Sequence, residues 1–191
     1  MFREEMVTAV SVRNGSGGTI RAVLLDRRMH KHTLIEWLNG AHAMETQSLP
    51  ILRAQVSDAR KTADARARFQ AHLRETEQHA ARIQQALQNL GSAPPLSPNA
   101  GDSVAATALG LSTRWLVAPL ARLAIADFVA EQFEVATYTA LIAAAERAGE
   151  TQVARLCRLN RGEDEDMAEW LDAQIPIAIE RALTEVPPNR R

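Results

Sequence analysis

The chain of 191 residues has one cysteine, Cys157, so no disulfide can close within it, which fits a reducing compartment. That thiol reads as a small packed apolar residue, not a nucleophile. Lysine and arginine number 22 against 23 for aspartate and glutamate. Without a positive surplus, neither nucleic acid nor an anionic membrane is expected as a partner. No apolar run approaches the ~20 residues of a membrane-spanning helix. The start, Met1-Phe2-Arg3-Glu4-Glu5, lacks the basic-then-apolar plan of a secretory signal, and the expected location is the cytoplasm. Aromatics are 4% and glycines number nine, while Ala, Leu, Arg, Glu and Gln dominate. That mixture favours helix, and the length suits one domain with a real core. An all-α fold is expected.

What is present is hydrophobic periodicity. Residues 1–19 end in Asn14-Gly15-Ser16-Gly17-Gly18, a flexible spacer by composition, and the apolar run from Ile20 to Leu25 reads as a docking turn or an early helix. A first long helix is expected from about 31–33 to 59, with Ile35, Leu38, His42, Glu45, Leu49, Leu52 and Val56 on its seam. Pro50 inside it predicts a kink. A second, 62–90, carries Phe69, Leu73, Thr76, Ala80, Ile83 and Leu87, with His72 and His79 on the shoulder; Gly91 is placed to stop it. The Pro-rich stretch 92–101 reads as a long crossing connection, followed by a short helix over 104–115. A third helix runs 119–148 and stops at Gly149. A fourth, from about 150 to 174, carries Val153, Leu156, Asn160, Glu163, Met167 and Trp170, and a last apolar run follows Pro176. The organisation expected is a leader or docking segment over 1–30, a four-helix bundle over 31–175 and a C-terminal extension over 176–191.

Glu131 and Glu134 interrupt this pattern. At helical spacing Glu131 shares a face with Phe128, Val135, Tyr138 and Ile142, and an ionised carboxylate on a core face costs several kcal/mol unless something compensates it. Companions fall at matching depth: Glu45 and Glu75 are 30 residues apart, Glu134 and Glu163 are 29. Two hairpins with carboxylates at one level suit two divalent iron or manganese ions, which take about four to six carboxylates and an imidazole or two. Carboxylate oxygens neutralise such ions and can bridge them.

Ala43-Met44-Glu45-Thr46-Gln47-Ser48-Leu49-Pro50, His72-Leu73-Arg74-Glu75-Thr76-Glu77 and Glu131-Gln132-Phe133-Glu134-Val135-Ala136-Thr137-Tyr138 together resemble the YciE/YciF-like ferritin-like proteins. The resemblance covers roughly 33–172. It implies a ferritin-like four-helix bundle with a long crossover and one or two additional short helices, usually a homodimer, with a di-iron centre and a link to bacterial stress responses. It also adds Glu75 to Glu45, Glu131, Glu134 and Glu163 as metal ligands, with His72, His79 or Asp166 completing the shell. The general di-iron template has Glu-x-x-His on two helices, whereas here Glu75 is followed by Gln78 and Glu163 by Asp166. The cofactor expected is therefore a pair of irons, with manganese as the variant, supporting ferrous oxidation or peroxide removal. The competing expectation is a non-enzymatic dimeric bundle whose carboxylates are met by histidine, arginine and water.

Overall fold

A computed structural model of the chain describes residues 20–58, 62–94 and 119–184, with side chains from 29, 62 and 122 onward in the three stretches. The expected leader, the short helix over 104–115 and most of the Pro-rich connection lie outside the described residues. Within them are four helices and no strand: α1, Ile20–Ser57; α2, Ala63–Asn89; α3, Pro119–Ala148; and α4, Thr151–Thr184.

Two boundaries differ from expectation. The Ile20–Leu25 run is continuous with α1, because no glycine or proline stands between Gly18 and Gly40 to interrupt good helix formers. At the other end α4 runs through Pro176 to Thr184. The proline sacrifices a backbone hydrogen bond, but its ring faces solvent, and Gln174 and Ala178 on the opposite side line a cleft shared with Phe69 of α2 and Leu123 of α3. Tertiary packing carries the helix past it. α1 likewise passes through Pro50.

The helix ends follow local chemistry. Thr62 caps α2 by accepting from the Ala65 amide at 3.2 Å. Gly91 and Gly149 have φ of +77° and +80°, the left-handed conformation that glycine adopts without penalty. Each ends its helix in a paired motif: Ser92 N–H donates to Leu87 O and Gly91 N–H to Gln88 O, as Glu150 does to Ala145 and Gly149 to Glu146. The second of these joins α3 to α4 in a tight hairpin.

Neighbouring helices are antiparallel. Along α1, Glu45, Ser48 and Gln55 meet Tyr138, Glu134 and Asp127 of α3 in descending order; along α2, Phe69 and His79 meet Trp170 and Glu163 of α4. The bundle therefore has α1 beside α2 and α3, and α4 beside α2 and α3. Leu90 packs with Leu34, Ala148 and Val153 at one end, whereas Phe128 packs with Leu52, Phe69 and Leu171 at the other. α2 thus ends and α3 begins at opposite ends, and the link between them has the bundle's length to span. Between the two apolar clusters lies a polar layer.

Candidate metal centre

Every helix places ionisable or polar side chains into this layer. From α1 come Glu45 and Ser48, from α2 His72, Thr76 and His79, from α3 Glu131, Glu134 and Tyr138, and from α4 Asn160 and Asp164. Glu45, Asp164, His79 and Tyr138 have no exposed surface, His72 has 1%, and Glu131 and Glu134 have 6% and 5%. All lie on true heptad seams: on α4 the buried positions run Val153, Cys157, Asn160, Asp164, Met167, Leu171, steps of four and three that keep one stripe facing inward.

The layer has an inner group and two outer arms. Inside, ligand atoms of Glu45, His79 and Asp164 lie within 4.8 Å of one another, and so do those of His72, Glu131 and Asp164. Asp164 belongs to both groups. His79 Nδ1 is 3.4 Å from a carboxylate oxygen of Glu45 and of Asp164, yet it is hydrogen-bonded to neither. Five buried atoms here have no hydrogen-bond partner: Glu45 Oε2, His79 Nδ1, Glu131 Oε2 and both oxygens of Asp164. Buried polar atoms are ordinarily paired, and a convergence of this kind is one that a cation or added protons would satisfy.

The outer arms repeat one pattern. His72 Nδ1 faces Glu75 Oε2 at 3.1 Å, and Arg68 donates to the same oxygen at 3.0 Å. His79 Nε2 faces Glu163 Oε2 at 2.7 Å, and Arg82 donates to both Glu163 oxygens at 2.6 and 3.1 Å. Each arm is an arginine, a glutamate and a histidine in series, with the remaining ring nitrogen turned inward: His72 Nε2 to Glu131 at 3.1 Å, His79 Nδ1 to Glu45 and Asp164. Tyr138 completes the layer, donating its hydroxyl to Glu45 Oε1 and accepting from Asn160 Nδ2 at 2.8 Å; Asn160 Oδ1 accepts from Arg82 at 2.9 Å. Ser48 donates to Glu134 at 3.0 Å.

The electrostatics of crowding are visible in the proton affinities. Burial, reinforced by the charges of Glu134, Glu45, Glu131 and Glu163, pushes the Asp164 carboxyl up to about 11. Burial and the Glu45 and Glu131 charges likewise raise Glu134 well above the usual carboxylate range. Burial opposes protonation of His72, but its hydrogen bonds to Glu131 and Glu75, with the Glu131 and Glu134 charges, outweigh that and raise it to about 9. On the arms the sign reverses. The His72 hydrogen bond, helped by Arg68, draws Glu75 down to about 2 against its burial. Partial burial raises Glu163, but Arg82 and His79 overcome it and hold it below its ordinary value.

Of the residues expected from the sequence, Glu45, Glu131, Glu134, His72 and His79 are brought together. Glu75 and Glu163 stand behind the histidines, paired with arginines. Asp166 is exposed on α4, two residues and about 200° from the face that carries Asp164. His42 is half-buried and outside the inner group; burial lowers its pKa, against the raising influence of Glu45. Asp164 was not foreseen. The signal for it was the Cys157-Asn160-Asp164-Met167-Leu171 stripe, obscured by the parallel stripe through Leu156, Glu163 and Trp170.

Residues 29–184 match the model of a family described as a domain of unknown function, DUF892. Among solved structures, a protein of Xanthomonas campestris pv. campestris is 27% identical, with a TM-score of 0.64 over 82% of this chain and 97% of that one. The Escherichia coli stress protein YciF is 22% identical, with a TM-score of 0.61 over 82% and 98%. A dodecameric thioferritin, a bacterioferritin-related protein from Bacteroides fragilis, is 14% identical, with a TM-score of 0.64 over 87% and 99%. The kinship with YciF-like proteins and the ferritin-like four-helix fold are thus borne out. Among the described residues no helix is long and apolar enough to cross a membrane.

Proposed function

Because the chain belongs to the DUF892 family and folds as a ferritin-like bundle, we propose that its polar layer is a two-metal centre held by Glu45, His79, His72, Glu131, Glu134 and Asp164. The observation that carries this is the set of five partnerless buried atoms converging from all four helices. Charge supports it independently. Four buried carboxylates, Glu45, Glu131, Glu134 and Asp164, match the charge of two divalent cations when the imidazoles are neutral, and the donor set of carboxylate with imidazole suits iron or manganese. Asp164 belongs to both groups, so it would serve both halves of the centre in this reading. A pair of redox-active divalent ions held there would supply two electrons to reduce peroxide, each ion being oxidised in the process, in line with the description of YciF as a stress protein.

The chain's own residues prepare the site. Glu75 and Glu163, anchored by Arg68 and Arg82, hold the outer nitrogen of each histidine and so aim the inner one, the support that metal-ligating imidazoles ordinarily have. In this reading the two arm glutamates orient ligands and do not bind metal. Tyr138 and Asn160 fix Glu45; Ser48 fixes Glu134. The apolar clusters bound the layer on either side along the bundle. At the surface, Ile51 of α1 and Val129 and Phe133 of α3 are exposed at one level, an apolar face suited to a homodimer.

The test is metal content of protein purified without chelator, followed by titration of the stripped chain with Fe²⁺, Mn²⁺ or Co²⁺. Two ions per chain are expected, with a large loss of binding in Glu131→Ala and Asp164→Asn. Trace metal that neither substitution alters would sink the proposal. A second reading, a metal-free interaction bundle, is favoured by the proton affinities: with Asp164 and Glu134 protonated and His72 charged, the four buried carboxylates' charge falls from −4 to a net −1 without metal. That reading predicts little binding of any divalent ion, and a chain stabilised or unchanged by Glu131→Gln.

A further inference from the structure

A cavity beside the polar layer touches only one half of it. About 60 Å³ in volume, it is lined by Ser48, Leu52, His72, Glu131 and Glu134, and exposed Ile51 and Ala130 border it between α1 and α3. Glu45, His79 and Asp164 line neither this cavity nor a larger one at the end of the bundle, and none of the three has exposed surface. The Glu131 carboxylate that meets the cavity keeps one buried oxygen, Oε2, without a partner.

The hydrogen bonds divide the layer in the same way. On the side away from the cavity, Tyr138 donates to Glu45 and accepts from Asn160 Nδ2 at 2.8 Å. Asn160 Oδ1 accepts from Arg82, which also donates to Glu163, and Glu163 faces His79 Nε2 at 2.7 Å. An unbroken run of side chains therefore joins Glu45 to His79. On the cavity side the supports are separate: Ser48 holds Glu134 at 3.0 Å, while Glu75, with Arg68 behind it, holds His72. Among the described residues no hydrogen bond joins these two.

We infer that the centre is asymmetric. The half built on Glu45 and His79 is sealed and clamped, and its ion leaves slowly; the half built on His72, Glu131 and Glu134 is open, and there the ion exchanges and meets a small reactant of the size of hydrogen peroxide. The inference rests on the metal reading above and deepens it. Closed and open coordination likewise separate structural from catalytic zinc sites. Size limits the reactant, since a cavity of 60 Å³ has room for a few waters and none for an organic substrate.

The test loads the full-length chain with two equivalents of Co²⁺ and follows the visible absorption of the bound ions, during release into excess EDTA and during titration with azide, a small anion that takes an open coordination position. Partners that hold ligating side chains are worth about 10–100-fold in metal affinity, so release is expected in two phases of equal amplitude with rates about tenfold or more apart. Azide is expected to perturb the fast-leaving ion alone, so that protein stopped after the fast phase no longer responds to it. Two substitutions at Leu52, which lines the cavity and is no ligand, link the open half to that space. Leu52→Phe fills it and is expected to weaken the azide response and slow the fast phase; Leu52→Ala enlarges it and is expected to do the reverse, whereas simple damage to the core would move both variants the same way. Tyr138→Phe, which cuts the run between Glu45 and His79, is expected to speed the slow phase only. Release in a single phase, an azide response from both ions or from neither, or a fast phase indifferent to both Leu52 variants overturns the asymmetry. The first two outcomes are read on the unaltered chain, so the proposal stays decidable where a variant fails to fold, which melting curves check. Failure of the unaltered chain to bind Co²⁺ at all would sink the metal reading itself; two ions bound and released alike sink the asymmetry alone.

Discussion

Tyr138 on α3 donates its hydroxyl to Glu45 on α1, 93 residues away, so one Glu45 oxygen is committed to the protein and the other, Oε2, is left without a partner. Burial and the Glu45 charge hold this phenol protonated, raising its pKa well above the ordinary value. Tyr138→Phe would strip Glu45 Oε1 of its donor and Asn160 of its shorter acceptor. A loss of roughly 1–3 kcal/mol is expected in the metal-free chain, measured by urea denaturation. A variant as stable as the parent would mean that the bond contributes no net stability.

Asp164 and Asp166 separate the two possible faces of α4. Asp164→Asn is expected to abolish binding of at least one ion of the pair, and also to leave the metal-free chain as stable or more so, since the amide resembles the protonated carboxyl already present there. Asp166→Asn, on exposed surface, should shift stability by no more than about 0.5 kcal/mol and leave metal stoichiometry intact. Calorimetric titration and thermal melts of both variants check this; equal binding losses would place the helix register elsewhere.

The pH dependence of the metal-free chain should run opposite to that of most proteins. Asp164 is raised from 3.8 to about 11, Glu134 is raised, and His72 is raised from 6.5 to about 9. Each therefore holds its proton more tightly folded than unfolded, so its contribution is complete below the unfolded value and is lost as pH climbs toward the folded one. Glu75, lowered from 4.5 to about 2, acts the other way: its contribution is present above 4.5 and lost as pH falls toward 2. Melting temperature should therefore peak near pH 4, where the Glu75 contribution is nearly complete and those of Asp164 and Glu134 have only begun to fall, and decline from about pH 4.5 through pH 9. Metal should reverse the slope, because its ligands bind deprotonated. Differential scanning calorimetry at pH about 5.5 and about 8.5, with and without metal, gives the sign.

Two glycines should respond oppositely to alanine. Nothing lies within 4 Å of a Cβ built on Gly149 or Gly162, so backbone conformation alone decides. At Gly149, φ +80°, alanine is expected to cost roughly 1 kcal/mol; at Gly162, inside α4, it is expected to add roughly 0.5–1 kcal/mol. Chemical denaturation of both variants measures the difference.

The bundle was legible in the sequence because four apolar stripes, two stop glycines and one Pro-rich connection mark its parts without reference to tertiary contacts. The exact facing of each helix was less so. On α1 the stripe of large residues passes through Ile35, Leu49 and Val56, yet the buried line runs Leu34, Leu38, Ala41, Glu45, Leu52 and Gln55. A polar layer at the centre puts small and polar residues on the axis and pushes large apolar ones to the flanks, so a search for bulk selects a stripe one step to the side. The same shift on α4 favoured Glu163 over Asp164, and on α2 it left His72 and His79 on the shoulder of a seam they occupy. At 100° per residue, adjacent stripes differ too little for periodicity to separate them. The decision comes from what stands opposite. The arginine arms were not legible at all, since Arg82 and Glu163 lie 81 residues apart and nothing local marks their pairing.

The polar layer also reverses where this protein should come undone first. Helical bundles ordinarily fray from their tips, where backbone bonds are fewest. Here each end is sealed by its own apolar cluster, while mid-height is occupied by carboxylates and imidazoles whose mutual repulsion rises as protons leave. Stripped of metal above neutral pH, the chain should exchange amide hydrogens soonest around Glu45, Thr76, Glu134 and Asp164, and latest around Leu38, Leu87 and Leu141. Its two hairpins would then part like a strap unfastened at the buckle.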